Sequence, residues 1–112
     1  MGIHILERMM KDTRVVVLYG EFDNSARREF QTVIDREKEA QSLHIILDLT
    51  HVPAVDRFGL GMIFLVAHHL RRKGGRTSIV NPQPQVRVEL ERADFPSLVQ
   101  ICQTEDEAQA AA

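Results

Sequence analysis

Apolar positions along the chain change period several times, and each change marks an element. Residues 14–19 (RVVVLY) are rich in β-branched side chains and end at Gly20, which predicts a strand. A shorter β-like run at residues 3–6 precedes it, so the chain opens with a hairpin. The period then switches to that of a helix. Ala26, Phe30, Val33 and Ile34 fall on one face, and Asp23, Asn24 and Ser25 are all competent N-caps. Residues 43–50 (LHIILDLT) are apolar without alternation, the pattern of a strand buried on both faces.

A second helix is predicted from about residue 57 to 73, with Leu60, Ile63, Phe64, Ala67 and Leu70 as its apolar stripe. Arg71, Arg72 and Lys73 suit the negative end of its dipole, and Gly74 or Gly75 can take a left-handed cap. Residues 76–80 (RTSIV) read as a strand broken by Asn81-Pro82. Pro84 then opens a third helix, with Val86, Leu90 and Ala93 on one face and Phe95-Pro96 closing it. Residues 98–101 read as a last short strand. Thr104 and Glu107 have the spacing of a capping box, before an alanine-rich end expected to form a weak, fraying helix.

The order β, β, α, β, α, β, α, β, α implies an α/β domain. After the opening hairpin, alternation calls for a largely parallel sheet of four to five strands, mixed by that hairpin, with about four helices packed against it. Residues 1–103 are expected to form the domain, and 104–112 a short C-terminal helix or frayed tail of it.

Composition narrows the classes. The chain has 112 residues, enough for one hydrophobic core, and no Trp, so Leu, Ile and Val must fill that core. Net charge is −2 with both signs interspersed, which argues against nucleic acid as a partner. The single cysteine, Cys102, allows no internal disulfide, and a reducing cytoplasm is the default expectation. The segment MGIHILERMMKD does not read as a signal peptide, and no run approaches the length of a membrane span.

Candidate chemistry is sparse. Of five histidines, His68 and His69 are adjacent on a helix and point apart, while His4, His44 and His51 lack further ligands at useful spacing. No metal site is expected, and no cofactor. The sharp turn at residues 56–61 carries no hydroxyl or thiol, so it offers no nucleophile, and Cys102 reads as a small core or boundary residue. An enzyme is the least favoured class. Gly59 and Gly61 at a helix start admit two readings. Backbone N–H groups there can hold an anion, or the glycines allow close packing against the sheet or a partner; the absence of GKS or GKT favours packing. Asp23, Asp48 and Asp56 lie at strand ends or helix starts. They read as caps or as a small acidic cluster that recognises a partner, and Asp48, inside a buried run, needs a hydrogen-bond partner.

Taken together, LYGEFD at residues 18–23 and IILDLTHVPAVDRFGLGMIFLVAHHLRRKGGRTSIVNPQPQVRVELE at 45–91 closely resemble the STAS domain of bacterial anti-sigma-factor antagonists, with relatives in sulfate transporters. The most specific parts are the G-E-F-D strand end, L-D-L, V-D-x-x-G-L-G, the K-G-G helix end and N-P-x-P-x-V-R. The resemblance implies a four- or five-stranded sheet with helices on one side. It also implies a function in transcription regulation by partner switching. The antagonist binds an anti-sigma factor that is also a serine kinase, and phosphorylation of a serine in a D-S-x-G turn ends the binding, because phosphate adds nearly two negative charges at the contact. Here the turn reads Asp56-Arg57-Phe58-Gly59. Arg57 stands at the phosphoserine position and accepts no phosphate. Asp23, Asp56, Gly59 and Gly61 keep the family pattern.

Arg57 is not what local rules would choose, since a cation in a first helical turn opposes the dipole by about 0.3–1 kcal/mol. Pairing with Asp23 or Asp56, plain solvent exposure, a salt bridge to an acidic partner and an anion ligand are the open readings. Phe58 either folds onto the core or joins Arg57 in a partner-binding surface. The leading expectation is a cytoplasmic regulatory module, monomeric or weakly dimeric. It would bind an anti-sigma factor or serine-kinase-like regulator through Asp23, Asp56, Arg57, Phe58, Gly59 and Gly61. The alternatives are a non-switching subunit of a larger assembly (a STAS scaffold or an ABC-transporter cytoplasmic subunit) and a small-ligand or nucleotide-binding domain. Thr50 and Ser25 are the other hydroxyls near the turn, and both read first as caps or turn residues.

Overall fold

The structure is a computed structural model that describes residues 3–40 and 42–110. The first two residues and the last two alanines of the expected tail lie outside them. β1 (His4–Met10) and β2 (Thr13–Tyr19) pair antiparallel, with Met10 opposite Thr13. The intervening two-residue turn puts Lys11 at φ 57°, the positive φ that matches the twist of the paired strands. β1 runs four residues beyond the run at 3–6, because pairing with β2 carries Arg8, Met9 and Met10 into the ladder.

From there every strand pairs parallel with the previous one. β3 (His44–His51) joins β2, β4 (Arg76–Val80) joins β3, and β5 (Gln100–Cys102) joins β4, giving the order β1-β2-β3-β4-β5. The intervening elements are α1 (Arg27–Ala40), α2 (Arg57–Arg72) and α3 (Pro84–Arg92), with α4 (Glu105–Ala110) after β5. This is the mixed, largely parallel five-stranded sheet with four helices that the alternation predicts.

The main core lies between one sheet face and α1, α2 and α3. Val16, Leu18, Ile45, Leu47, Leu49 and Ile79 meet Phe30, Val33, Ile63, Val66, Leu70, Val86 and Leu90 there. The other face carries a smaller cluster of Val15, Ile46, Val80, Cys102 and Ala108. Helices are therefore not confined to one side. Alternation along β2, β3 and β4 places Val15, Ile46 and Val80 opposite the main core, and α4 covers them. α4 does not read as a free end within the described residues. Its Ala108 is fully buried, Thr104 Oγ1 accepts from Glu107 N–H at 3.1 Å, and Glu105 pairs with Arg8 of β1.

Three local expectations shift. α1 starts after a single 3-10 turn at Asn24–Ala26. On α2, Phe64 is exposed, and Val66 takes its place in the buried stripe. Phe95–Ser97 forms a 3-10 turn that delays β5 to Gln100–Cys102. Gly74, at φ 82°, is the glycine that terminates α2, with Gly75 N–H donating back to Leu70 O at 2.8 Å.

At the hairpin end of the main core lies a buried ionic network. Arg14 pairs with Glu7 at 2.6 Å and with Glu37 of α1 at 3.1 Å. Arg36 closes on Glu7 at 2.6 Å, Lys73 on Glu37 at 3.6 Å, and Ser42 N–H donates to Glu37 at 2.8 Å. On the opposite face His44 is buried and shares a 2.8 Å hydrogen bond with Ser78 Oγ.

Candidate functional site

The site is built where the β2–α1 and β3–α2 connections meet. Phe22 and Val55 form an isolated parallel bridge, and Phe22 O accepts from Asp56 N–H at 3.3 Å. Phe22 is itself fully buried against Phe30, which anchors the pair of loops to the core.

Each loop then starts a helix with an aspartate cap. Asp23 accepts from Ser25 N–H at 2.8 Å and from the Ser25 hydroxyl. These hydrogen bonds, the hydroxyl's first, hold its carboxyl below the usual range. Asp56 accepts from Gly59 N–H at 3.0 Å and caps α2. Asp48 has its own partners, the backbone N–H and hydroxyl of Thr50 at 2.9 and 2.6 Å. All three aspartates thus act as local caps or turn acceptors.

The two glycines differ. A Cβ on Gly59 would meet Phe22 O at 2.3 Å and Val55 Cγ2 at 2.6 Å, so Gly59 is there for close packing of helix on loop. A Cβ on Gly61 would meet nothing within 4 Å. Gly61 is exposed, and the fold gives no packing reason for it.

Arg57 is exposed and, among the described residues, its side chain forms no ion pair or hydrogen bond. Pairing with Asp23 or Asp56 is not what occurs, since both carboxylates are turned to their own caps. Phe58 is half-buried and stands outside the core cluster. The guanidinium of Arg27 lies over its ring, 5.4 Å from the centroid. The sequence reading missed Arg27. Its signal was available, because Arg27 opens α1 as Arg57 opens α2, each a cation at the positive end of a helix dipole.

The hydroxyls near the turn are engaged in structure. Thr50 Oγ1 donates to Asp48 and accepts from Asn81 at 3.2 Å, and Ser25 Oγ donates to Asp23. Among the described residues no group of three His, Cys, Asp or Glu side chains is placed to hold a metal ion. Cys102 is buried, and burial pushes its thiol pKa up, away from nucleophilic character. Among the described residues no helix is long and apolar enough to cross a membrane.

Comparison with known proteins agrees with this geometry. The sequence matches the STAS domain model over residues 4–108. The chain belongs to the STAS domain family. Its fold is similar to that of a putative anti-sigma factor antagonist from Thermotoga maritima, with a TM-score of 0.85 at 24% identity, covering 94% of this chain and 91% of that one. It is also similar to the unphosphorylated form of the anti-sigma factor antagonist SpoIIAA, with a TM-score of 0.75, 25% identity and 94% of each chain covered. A sulfate transporter family protein from Wolinella succinogenes shares the fold at 17% identity, with a TM-score of 0.75 over 90% of this chain and 84% of that one. In sequence the chain is nearer to these two antagonists, at 24% and 25% identity, than to the transporter family protein, at 17%.

Proposed function

We propose that this STAS domain is a non-enzymatic regulatory module that binds a protein, an anti-sigma factor or a serine-kinase-like regulator, through the turn at residues 56–61. It does so without a serine phosphorylation switch. The observation that carries this reading is the state of Arg57. The scaffold of the turn is intact, with Asp56 capping Gly59 and Gly59 packed on Phe22, yet the displayed residue is an exposed arginine with no internal partner. No residue from Asp56 to Gly61 carries a hydroxyl, so the turn cannot be switched off by phosphate. Binding through it is constitutive, in a cytoplasmic setting.

The test is a pull-down from host extract with the wild-type chain and with Arg57→Asp, read by mass spectrometry. Capture of an anti-sigma or kinase-like protein that Arg57→Asp loses supports the reading. Capture of the same transporter or scaffold components by both proteins overturns it in favour of an assembly subunit. Intact-mass analysis of protein from its own host shows the unmodified mass on this reading, and an added phosphate would count against it.

A further inference from the structure

α2 turns one side to the core and another to solvent. The inner one is buried in the core. The outer one carries Arg57, Gly61, Phe64, His68 and Arg71, spaced 4-3-4-3, which is the period of a helix-packing seam. Phe64 is 48% exposed and its neighbour Leu65 50% exposed. The His68 ring stacks on Phe64 at 5.7 Å between centroids, which fixes both side chains on that surface. Beside Phe64 runs a groove of about 270 Å³ with Ala93, Phe95 and Leu98 along it and Arg71, Asp94 and Ser97 as its polar lining.

The charge that α2 itself contributes to this face is one-sided. Arg57–Arg72 contains no acidic residue, although the whole chain is net negative. Arg57, Arg71 and Arg72 form no ion pair or hydrogen bond by their side chains among the described residues. Cations therefore stand at both ends of an apolar centre, about 22 Å apart at 1.5 Å rise per residue. Gly61 completes the pattern. Glycine costs a helix interior stability relative to alanine, and no internal contact here requires it. It leaves a smooth place where another backbone can approach closely.

We infer that the outer face of α2 docks an amphipathic helix of the protein partner, apolar at its centre and carrying carboxylates at both ends. The partner's large apolar side chain enters the groove beside Phe64, its backbone passes close at Gly61, and its carboxylates meet Arg57 and Arg72. This deepens the proposed function and rests on it, extending the contact from the turn along the helix.

The experiment is a titration of the isotopically labelled full chain, followed by NMR, with a synthetic end-blocked amphipathic peptide of about five helical turns. One version carries glutamates at both ends and a second carries lysines there. The glutamate peptide is expected to shift the amides of Gly61, Phe64, Leu65 and His68 and to bind about tenfold tighter than the lysine peptide. Reversal of charge by Arg57→Glu with Arg72→Glu is expected to swap that preference. Gly61→Ala is expected to raise the melting temperature while weakening the peptide, an opposition that a purely structural role would not produce. Absence of shifts, equal binding of both peptides, or shifts on the sheet face around Leu6 and Tyr19 would each overturn the inference. Phe64→Ser separates it from the reading beneath it. Regulator capture lost with Arg57→Asp but kept with Phe64→Ser leaves the turn as the docking site and removes the extended face.

Discussion

Arg27 of α1 covers the ring of Phe58 at the start of α2, its guanidinium carbon 5.4 Å from the ring centroid. The contact joins the two helices whose caps flank the turn, and Phe58 stands half-buried outside the core cluster. An aromatic held half-exposed by a cation is ready to contact a partner without reordering, which lowers the entropy cost of binding.

Phe58→Ala is therefore expected to change fold stability by no more than about 1 kcal/mol, the worth of an exposed cation–π contact. Its effect on partner affinity should be larger, about tenfold or more in Kd, as for a truncated aromatic anchor. Urea denaturation and a direct binding titration on the same variant separate the two.

The two glycines of the turn should respond oppositely to alanine. Gly59→Ala forces a Cβ against the Phe22 carbonyl and is expected to destabilise by about 1–3 kcal/mol, as overpacking does. Gly61→Ala meets open space inside a helix and is expected to stabilise by about 0.5–1 kcal/mol. Chemical denaturation of both, at unchanged slope, checks the pair.

Glu37 is the acid on which the buried network converges, receiving Arg14, Lys73 and the Ser42 amide. Glu37→Ala leaves Arg14 buried with one carboxylate instead of two. A loss of about 3–5 kcal/mol is expected, the cost of breaking a buried pair from one side. Thermal unfolding should show it, and Arg36→Ala, which removes only an exposed member, should shift the midpoint far less.

His44 makes the fold acid-sensitive. Burial first, and the nearby Arg76 charge second, push its pKa down to about 4 from an ordinary 6.5. The folded state thus binds the proton less readily than the unfolded state. The His44 contribution is fully present above pH 6.5 and is lost as pH falls from there toward about 4. His44→Gln should flatten stability against pH across that window, as measured by urea midpoints at each pH.

Much of this was legible in the sequence, because periodicity carries it. The non-alternating run at β3 announced burial on both faces, and the RVVVLY run announced β2. What escaped was decided by three-dimensional fit. Phe64 is apolar and sits within the expected stripe, yet α2 is rotated so that Val66 points inward instead. At its start the helix lies close on the loop, since a Cβ on Gly59 would meet the Phe22 carbonyl at 2.3 Å. The side taken by α4 was hidden for another reason. Ala108 alone marks its inner face, and the apolar surface that holds it comes from alternate residues of three strands. At the site, the caps Asp23 and Asp56 follow from local rules, whereas the Arg27–Phe58 contact spans two helices, and only the cation at the start of α1 hinted at it.

The contact between Gly59 and the Phe22 carbonyl also bears on how this chain should be compared with its relatives. A position where any side chain collides with backbone is held by folding alone, whether or not the domain still binds anything. Aligned glycines at that position therefore testify to architecture and are silent about activity. Arg57 and Gly61 face open solvent and are free to drift. Retention of either among close relatives would be the sign that selection acts on the surface they share.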